Sequence, residues 1–210
     1  MLSGAREGVA WRRSLGGRLF PVPPPETGCD GVGVFIVRPG RHGLGVHASR
    51  RVSRGASLFQ FHGKRISFVE AVAKGEHESY ALQIDQNLYV DLDPLGCLVN
   101  HSCQPNTGLR SDGWLFALRD IAMGEELRYD YSTTMDEDYW TMPCECGAVR
   151  CRRVIRDFVT LPVDVRSKYM QLGAVQAHIV GRYCGSLPST SDATELKCGS
   201  SGFGATNSVG

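Results

Sequence analysis

The stretch Asn100-His101-Ser102-Cys103-Gln104-Pro105-Asn106 constrains this chain more than any other. It is polar, yet it follows directly on the apolar run Cys97-Leu98-Val99. Polar groups carried into a core must find hydrogen-bond partners there, in the protein or in a ligand. Pro105 excludes helix and biases Gln104 toward an extended backbone. Taken alone, the stretch also reads as a proline turn. The downstream cysteines sharpen the choice. Cys144, Cys146 and Cys151 lie too close together for three independent disulfides, and Cys103 supplies a fourth thiol. Four thiols at such spacing point to a metal, and so to a reducing compartment.

A chain of 210 residues suffices for one well-buried core. Its net charge of +1 gives no strong field for nucleic acid, so no direct nucleic-acid binding is expected. Apolar runs fall short of the roughly 18 residues a membrane helix needs, so no membrane partner is expected either. Residues 1–28 set Arg6, Arg12, Arg13 and Arg18 against Glu7 and Glu26 and are expected to be a disordered or accessory arm. Arginine excess is also a mark of organelle transit leaders, although glycines here interrupt any amphipathic helix. Pro21, Pro23, Pro24 and Pro25 make a stiff spacer, and the domain boundary is expected there.

From Gly31 the texture is β. Val32 to Val37 is an apolar, β-branched run bounded by Pro39-Gly40. His42-Gly43-Leu44-Gly45 has two glycines one residue apart, which suit a hairpin turn or a backbone lying close to a ligand. Leu58 to Phe61 and Trp114 to Leu118 read as strands. Tyr80–Asp85 and Leu88–Leu92 read as a pair joined at Gln86-Asn87. Ser67-Phe68-Val69-Glu70 is a capping box opening a short helix to about Lys74, with Phe68, Val69 and Val72 as its apolar face. A last helix is expected over residues 162–180, weakened by Gly173. Residues 185–210 are rich in Ser, Gly and Thr and are expected to be disordered, with Cys184 and Cys198 as bystanders. The fold class is mainly β, a β-rich α+β domain with little helix.

These residues together resemble a SET-domain protein lysine methyltransferase with a post-SET zinc segment. Gly43-Leu44-Gly45 resembles the family's glycine motif. Tyr80 stands where the family has a tyrosine after a small helix. Residues Asn100 to Asn106 and Gly124-Glu125-Glu126-Leu127-Arg128-Tyr129-Asp130-Tyr131 resemble its two most specific motifs. Cys144-Glu145-Cys146 with Cys151 resembles the post-SET segment. The resemblance covers about residues 31–158, with 31–131 as SET domain and 140–158 as zinc segment. It implies small sheets around a threaded crossing that brings the segment ending at Tyr131 beside Asn100 and His101.

The resemblance also implies the chemistry. S-adenosylmethionine would lie against His42, Gly43, Leu44, Gly45, Asn100 and His101. A protein substrate with an exposed lysine, such as a histone tail, would enter from the opposite side along Tyr80 and Tyr129, with Tyr131 as the catalytic tyrosine. Tyr129 at its position implies mono- or dimethylation. Zinc would be held by Cys103, Cys144, Cys146 and Cys151. Some positions depart from the family pattern: Gly55-Ala56, Gln60-Phe61, His47 and Cys97 replace more usual residues. A SET-like peptide-binding module with weak catalysis is therefore the alternative. The acidic run Asp136-Glu137-Asp138 near the channel mouth would suit a basic peptide, and equally reads as a solvated loop.

Overall fold

The computed structural model describes residues 10–13, 19–22 and 35–183. Strand β1 (Ala10–Arg13) pairs antiparallel with β2 (Leu19–Val22), so Pro21 sits in a strand rather than in a spacer. Pro23 to Pro25, residues 32–34 and the tail beyond Tyr183 lie outside the described residues. Strand β3 (Phe35–Gly40) pairs with β4 (Gly43–Ala48) across Arg41-His42. Pro39-Gly40 thus ends inside the ladder, opposite Leu44 and Gly43, instead of bounding it. A proline is tolerated there because it stands near the end of an edge strand.

Strand β5 (Ser57–Gln60) joins β10 (Thr107–Leu109) and β11 (Trp114–Ala117) in a three-stranded sheet, order β10-β11-β5. A second three-stranded sheet sets β8 (Leu88–Leu92) between β6 (Gly63–Ser67) and β7 (Ala81–Asp85). The β7–β8 turn uses Asn87 at φ 55°, a left-handed backbone that asparagine tolerates. Between β6 and β7, helix α1 (Phe68–Ala73) opens on a complete capping box formed by Ser67 and Glu70. The expected apolar face is rotated: Ala71 is buried, whereas Val69 is 75% exposed. Six residues are too short for a regular stripe, and Gly75 (φ 56°) turns the chain into a 3₁₀ segment, Gly75–Tyr80.

The crossing is built from backbone pairing. Helix α2 (Pro94–Cys97) leads into the two-residue strand β9 (Asn100–His101), which pairs in parallel with β12 (Arg128–Tyr129). Just before β12, the chain runs antiparallel beside β4. Leu127 N donates to Val46 O at 2.7 Å, and Ala48 N donates to Glu125 O at 2.9 Å. One short segment thus zips to β4 on one side and to β9 on the other. The core behind it holds Val46, Leu98, Val99, Leu109, Leu115, Ile121 and Leu127, all essentially without solvent contact. Truncating any of the leucines to alanine would cost about 2–5 kcal/mol.

After β12 come a 3₁₀ segment (Tyr131–Thr134), the short pair β13 (Met142–Pro143) with β14 (Val154–Ile155), and a second 3₁₀ segment, Phe158–Thr160. The C-terminus holds two helices where the sequence suggests one: α3 (Val163–Gln171) and α4 (Ala177–Tyr183). Gly173 is the cause. It adopts φ 64°, its N–H donates to Met170 O at 3.0 Å, and Ala174 N donates to Tyr169 O at 3.0 Å. That is a Schellman stop, which requires a left-handed residue and favours glycine. The two helices bury Tyr169, Ala174 and Ile179 with Phe116 and Phe158 in a second small core.

Candidate active site

The two asparagines of the central stretch account for its burial. Asn106 Nδ2 donates to Glu126 O at 2.8 Å, while Asn106 Oδ1 accepts from Arg128 N at 2.9 Å. It therefore grips the backbone on both sides of Leu127. Asn100 Nδ2 donates to Leu44 O at 3.0 Å and to Glu126 Oε1 at 2.7 Å. Arg128 Nε stands 3.3 Å from Glu126 Oε2. The buried carboxylate thereby gains the partners it needs. Ser102 N completes the join by donating to Tyr129 O at 3.0 Å.

The glycine hairpin belongs to the same cluster. A Cβ on Gly45 would stand 2.4 Å from Glu126 Oε1 and 3.1 Å from Asn100 Nδ2. Gly45 is thus required by close approach. At the hairpin tip, His42 Nε2 is buried with no hydrogen-bond partner among the described residues. An unsatisfied nitrogen next to Asn100-His101 suits a polar ligand lying over the tip.

His101 is buried. Its Nδ1 accepts from Tyr131 N at 3.2 Å, which leaves the ring proton on Nε2, 3.3 Å from Cys103 Sγ. Burial lowers its pKa to about 4 against the opposing pull of Asp130. At neutral pH it is therefore the neutral Nε2–H tautomer. The phenol of Tyr131 donates to Val99 O at 2.9 Å, so residue 131 sits against the backbone just before Asn100. Its ring lies 5.2 Å from that of His101 and 4.8 Å from that of Tyr129, whose other side meets Phe61 at 5.8 Å.

A narrow cavity of about 50 Å³ opens beside these rings. Its lining includes Tyr129, Tyr131, Val99, Met135 and Trp140 together with Tyr89, Glu78 and Glu137. Tyr89 hydroxyl donates to Glu137, and burial raises the Glu137 pKa. Tyr80 does not line the cavity. It ends a 3₁₀ turn with its ring stacked on His77 at 5.6 Å, while its neighbours Ser79 and Ala81 face the cavity. Of the acidic run, only Glu137 reaches the lining. Asp136 is held by Arg182 and Tyr183, and the backbone N–H of Asp138 donates to Asp157.

The thiols converge as well. Cys103 Sγ lies 3.8 Å from Cys144 Sγ, and Cys144 Sγ lies 3.6 Å from Cys151 Sγ. Cys103 N donates to Cys146 Sγ at 3.5 Å. Ligand atoms of His101, Cys103, Cys144 and Cys146 all fall within 4.8 Å of one another, so the cluster can hold a metal ion. Burial pushes the Cys103 thiol up to about 11 and raises Cys144 further. For Cys146, burial is outweighed by N–H donors from Cys103 and Ala148, which bring it down to about 7. Thiols held protonated by burial ionise readily beside a divalent cation.

Comparison with known proteins agrees with this geometry. Residues 43–132 match the family model for the SET domain. The chain contains a SET domain. Over 146 residues it is 34% identical to the histone-lysine N-methyltransferase trithorax of Drosophila virilis, covering 62% of this chain and 4% of that protein. It is 33% identical over 149 residues to human histone-lysine N-methyltransferase 2B, covering 62% and 5%. The H3 lysine-4 specific histone-lysine N-methyltransferase of Saccharomyces cerevisiae is 31% identical over 137 residues, covering 57% and 13%. The chain thus spans only a small part of the curated relatives it matches.

Several residues that hold this site together had no individual role in the sequence reading: Glu126 and Asp130 within the matched segment, and Arg152 and Tyr169 beyond it. Glu126 and Asp130 carry a signal, since each is a carboxylate inside a run of core residues. Arg152 and Tyr169 carry none, because their partners lie 22 and 39 residues away.

Proposed function

We propose that the chain is an S-adenosylmethionine-dependent protein-lysine N-methyltransferase acting on a histone or a similar basic protein. One observation carries the reading: the Tyr131 phenol is fixed on Val99 O, between the Asn100-His101 cluster and an aromatic cavity. The matched relatives are named as histone-lysine methyltransferases, which supports the substrate class. The unpartnered His42 nitrogen, the tight Gly43–Gly45 backbone and the Asn100-His101 pair fit the methyl donor's polar groups. When bound, S-adenosylmethionine supplies an electrophilic methyl group on a sulfonium.

The chain's own residues do the rest. Lysine has a pKa of about 10.4 in water and is unreactive while protonated. The aromatic and apolar part of the lining, Tyr129, Tyr131, Val99, Met135 and Trp140, packs the methylene stem and excludes water, which disfavours the ammonium form against the opposing pull of Glu78 and Glu137. Tyr131 commits its proton to Val99 O, so toward an incoming amine its oxygen acts as acceptor and orients the nitrogen. Orientation of this kind is worth several powers of ten in rate. Tyr129, wedged between Phe61 and Tyr131, limits the room around the nitrogen. That supports mono- or dimethylation. Tyr80, one residue from Ser79 and Ala81 of the lining, serves at the rim.

We assign zinc to Cys103, Cys144, Cys146 and Cys151. Four sulfurs at about 2.3 Å from one centre stand about 3.8 Å apart, and two pairs here have such spacing. The His101 Nε2 within the cluster carries the ring proton, so it is a donor to Cys103 rather than a metal ligand. A thiolate site of this kind requires a reducing compartment.

The test is transfer of a labelled methyl group from S-adenosylmethionine to mixed core histones, with calorimetry of cofactor binding on the same preparation. The native chain should label lysine, and Tyr131→Phe should bind cofactor but transfer poorly. Cofactor binding without transfer by the native chain would favour the peptide-binding module. Absence of cofactor binding would remove the enzyme reading.

A further inference from the structure

A largely buried ion pair, Arg152 with Asp130, lies beside Tyr131. Asp130, the preceding residue, has a side chain with no solvent exposure. Arg152 grips it with two bonds: Nη1 to Oδ2 at 2.7 Å and Nη2 to Oδ1 at 2.6 Å. The same guanidinium donates from Nη2 to Ser132 Oγ at 3.2 Å. One planar group therefore holds the residues on both sides of Tyr131. Tyr169 hydroxyl, arriving from α3, donates to Asp130 Oδ2 at 3.1 Å, and Ser132 N donates to Oδ1 at 3.2 Å. Arg152 directly follows Cys151, and its own backbone N–H donates to Cys103 Sγ at 3.4 Å.

We propose that Arg152 is a positioning residue for Tyr131, linking the cysteine cluster to the strand that carries the phenol. This rests on the reading of Tyr131 as the catalytic tyrosine. The arrangement calls for arginine in particular. A bidentate carboxylate grip plus a third bond needs a rigid planar fork, which lysine's single point charge cannot supply. Removing the guanidinium strands a buried carboxylate, which would then draw in water or pull away, taking the 130–132 backbone with it. His101 would feel the change as well: its Nδ1 accepts from Tyr131 N and lies 3.7 Å from Asp130 Oδ1. Arg152 itself does not line the cavity.

The test compares Arg152→Lys and Arg152→Gln with the native full chain. Three readouts are taken: steady-state transfer to mixed core histones, zinc content, and the ¹⁹F resonance of 3-fluorotyrosine at position 131. That resonance is identified by its loss in Tyr131→Phe. Misplacement of the phenol in Arg152→Gln should lower kcat by about 100-fold while the S-adenosylmethionine Kd stays within about twofold. Its residue-131 resonance should shift and broaden at unchanged zinc content. Arg152→Lys should fall between the two. A native kcat and an unmoved resonance in Arg152→Gln would overturn the proposal. So would zinc loss in proportion to lost turnover, which would assign Arg152 to folding of the metal segment. If the native chain transfers no methyl group, the function reading fails, and the resonance alone still decides whether Arg152 positions residue 131. If Arg152→Gln does not fold, Tyr169→Phe removes a single donor from Asp130 and should move the same resonance to a smaller extent; no movement there would overturn the proposal.

Discussion

Replacing Gly45 with alanine tests the joint between the glycine hairpin and the central polar stretch. The added Cβ would lie 2.4 Å from Glu126 Oε1, 3.0 Å from its carboxyl carbon and 3.1 Å from Asn100 Nδ2. Ordinary contact needs about 3.5 Å, so the carboxylate must retreat by about 1 Å. It is not free to do so, being held by Asn100 Nδ2 at 2.7 Å and Arg128 Nε at 3.3 Å. Overpacking of this kind costs about 1–3 kcal/mol, and breaking a hydrogen bond to a charged group about 1.5–3 kcal/mol. These overlap, since one movement causes both, so we expect a loss of about 2–4 kcal/mol by urea denaturation. S-adenosylmethionine affinity by calorimetry should fall as well, because Asn100 moves with Glu126. Gly181→Ala is the control: it sits in α4 with nothing within 4 Å of its Cβ position among the described residues and should stabilise by about 0.5–1 kcal/mol. Gly45→Ala within about 0.5 kcal/mol of native, with native affinity, would show that Glu126 and Asn100 do not pack tightly on the hairpin.

Other outcomes follow from the same contacts. Tyr129→Phe should shift the product toward higher methylation, read by mass spectrometry of the modified lysine; an unchanged distribution would remove Tyr129 from that role. Chelation of zinc, or Cys144→Ser, should lower the thermal midpoint and free the 142–155 segment to exchange amide protons; a metal-free chain with native protection would contradict the assigned site. His178 on α4 has its pKa lowered by burial, against the opposing effects of Asp85, the Ile84 backbone and Asp136. Its folded-state pKa lies below the unfolded one, so its contribution is present above about pH 6.5 and is lost as pH falls below it. His178→Gln should flatten the acid side of the stability profile, measured by denaturation between about pH 4 and 7.

Much of the site is legible in the chain because its residues are concentrated in two short runs. A buried polar stretch needs partners, and Asn100 and Asn106 find theirs in the run from Glu125 to Arg128. The strands of β7 and β8 were legible from alternation and from Asn87, which supplies the turn backbone. The break between α3 and α4 is not legible in sequence, because Gly173 counts there only as a weak helix former, whereas tertiary packing of Ala174 makes it a full stop. The buried face of α1 is not legible either, because six residues are too few to define a periodicity. Tyr80 lies one position from the cavity lining, a distinction of side-chain direction that spacing does not carry. The Arg152 grip on Asp130 escaped because nothing local to either residue announces a partner that only the fold brings near.

The most direct measurement is a crystal structure of the full chain with S-adenosylhomocysteine and a lysine-containing histone peptide. We predict the cofactor product against His42, Gly43–Gly45 and Asn100-His101, with the peptide lysine entering between Tyr129 and Tyr131 from the other side. Its amine nitrogen should lie within hydrogen-bonding distance of the Tyr131 oxygen and point at the cofactor sulfur. A product bound elsewhere, or a lysine that cannot reach residue 131, would contradict this prediction.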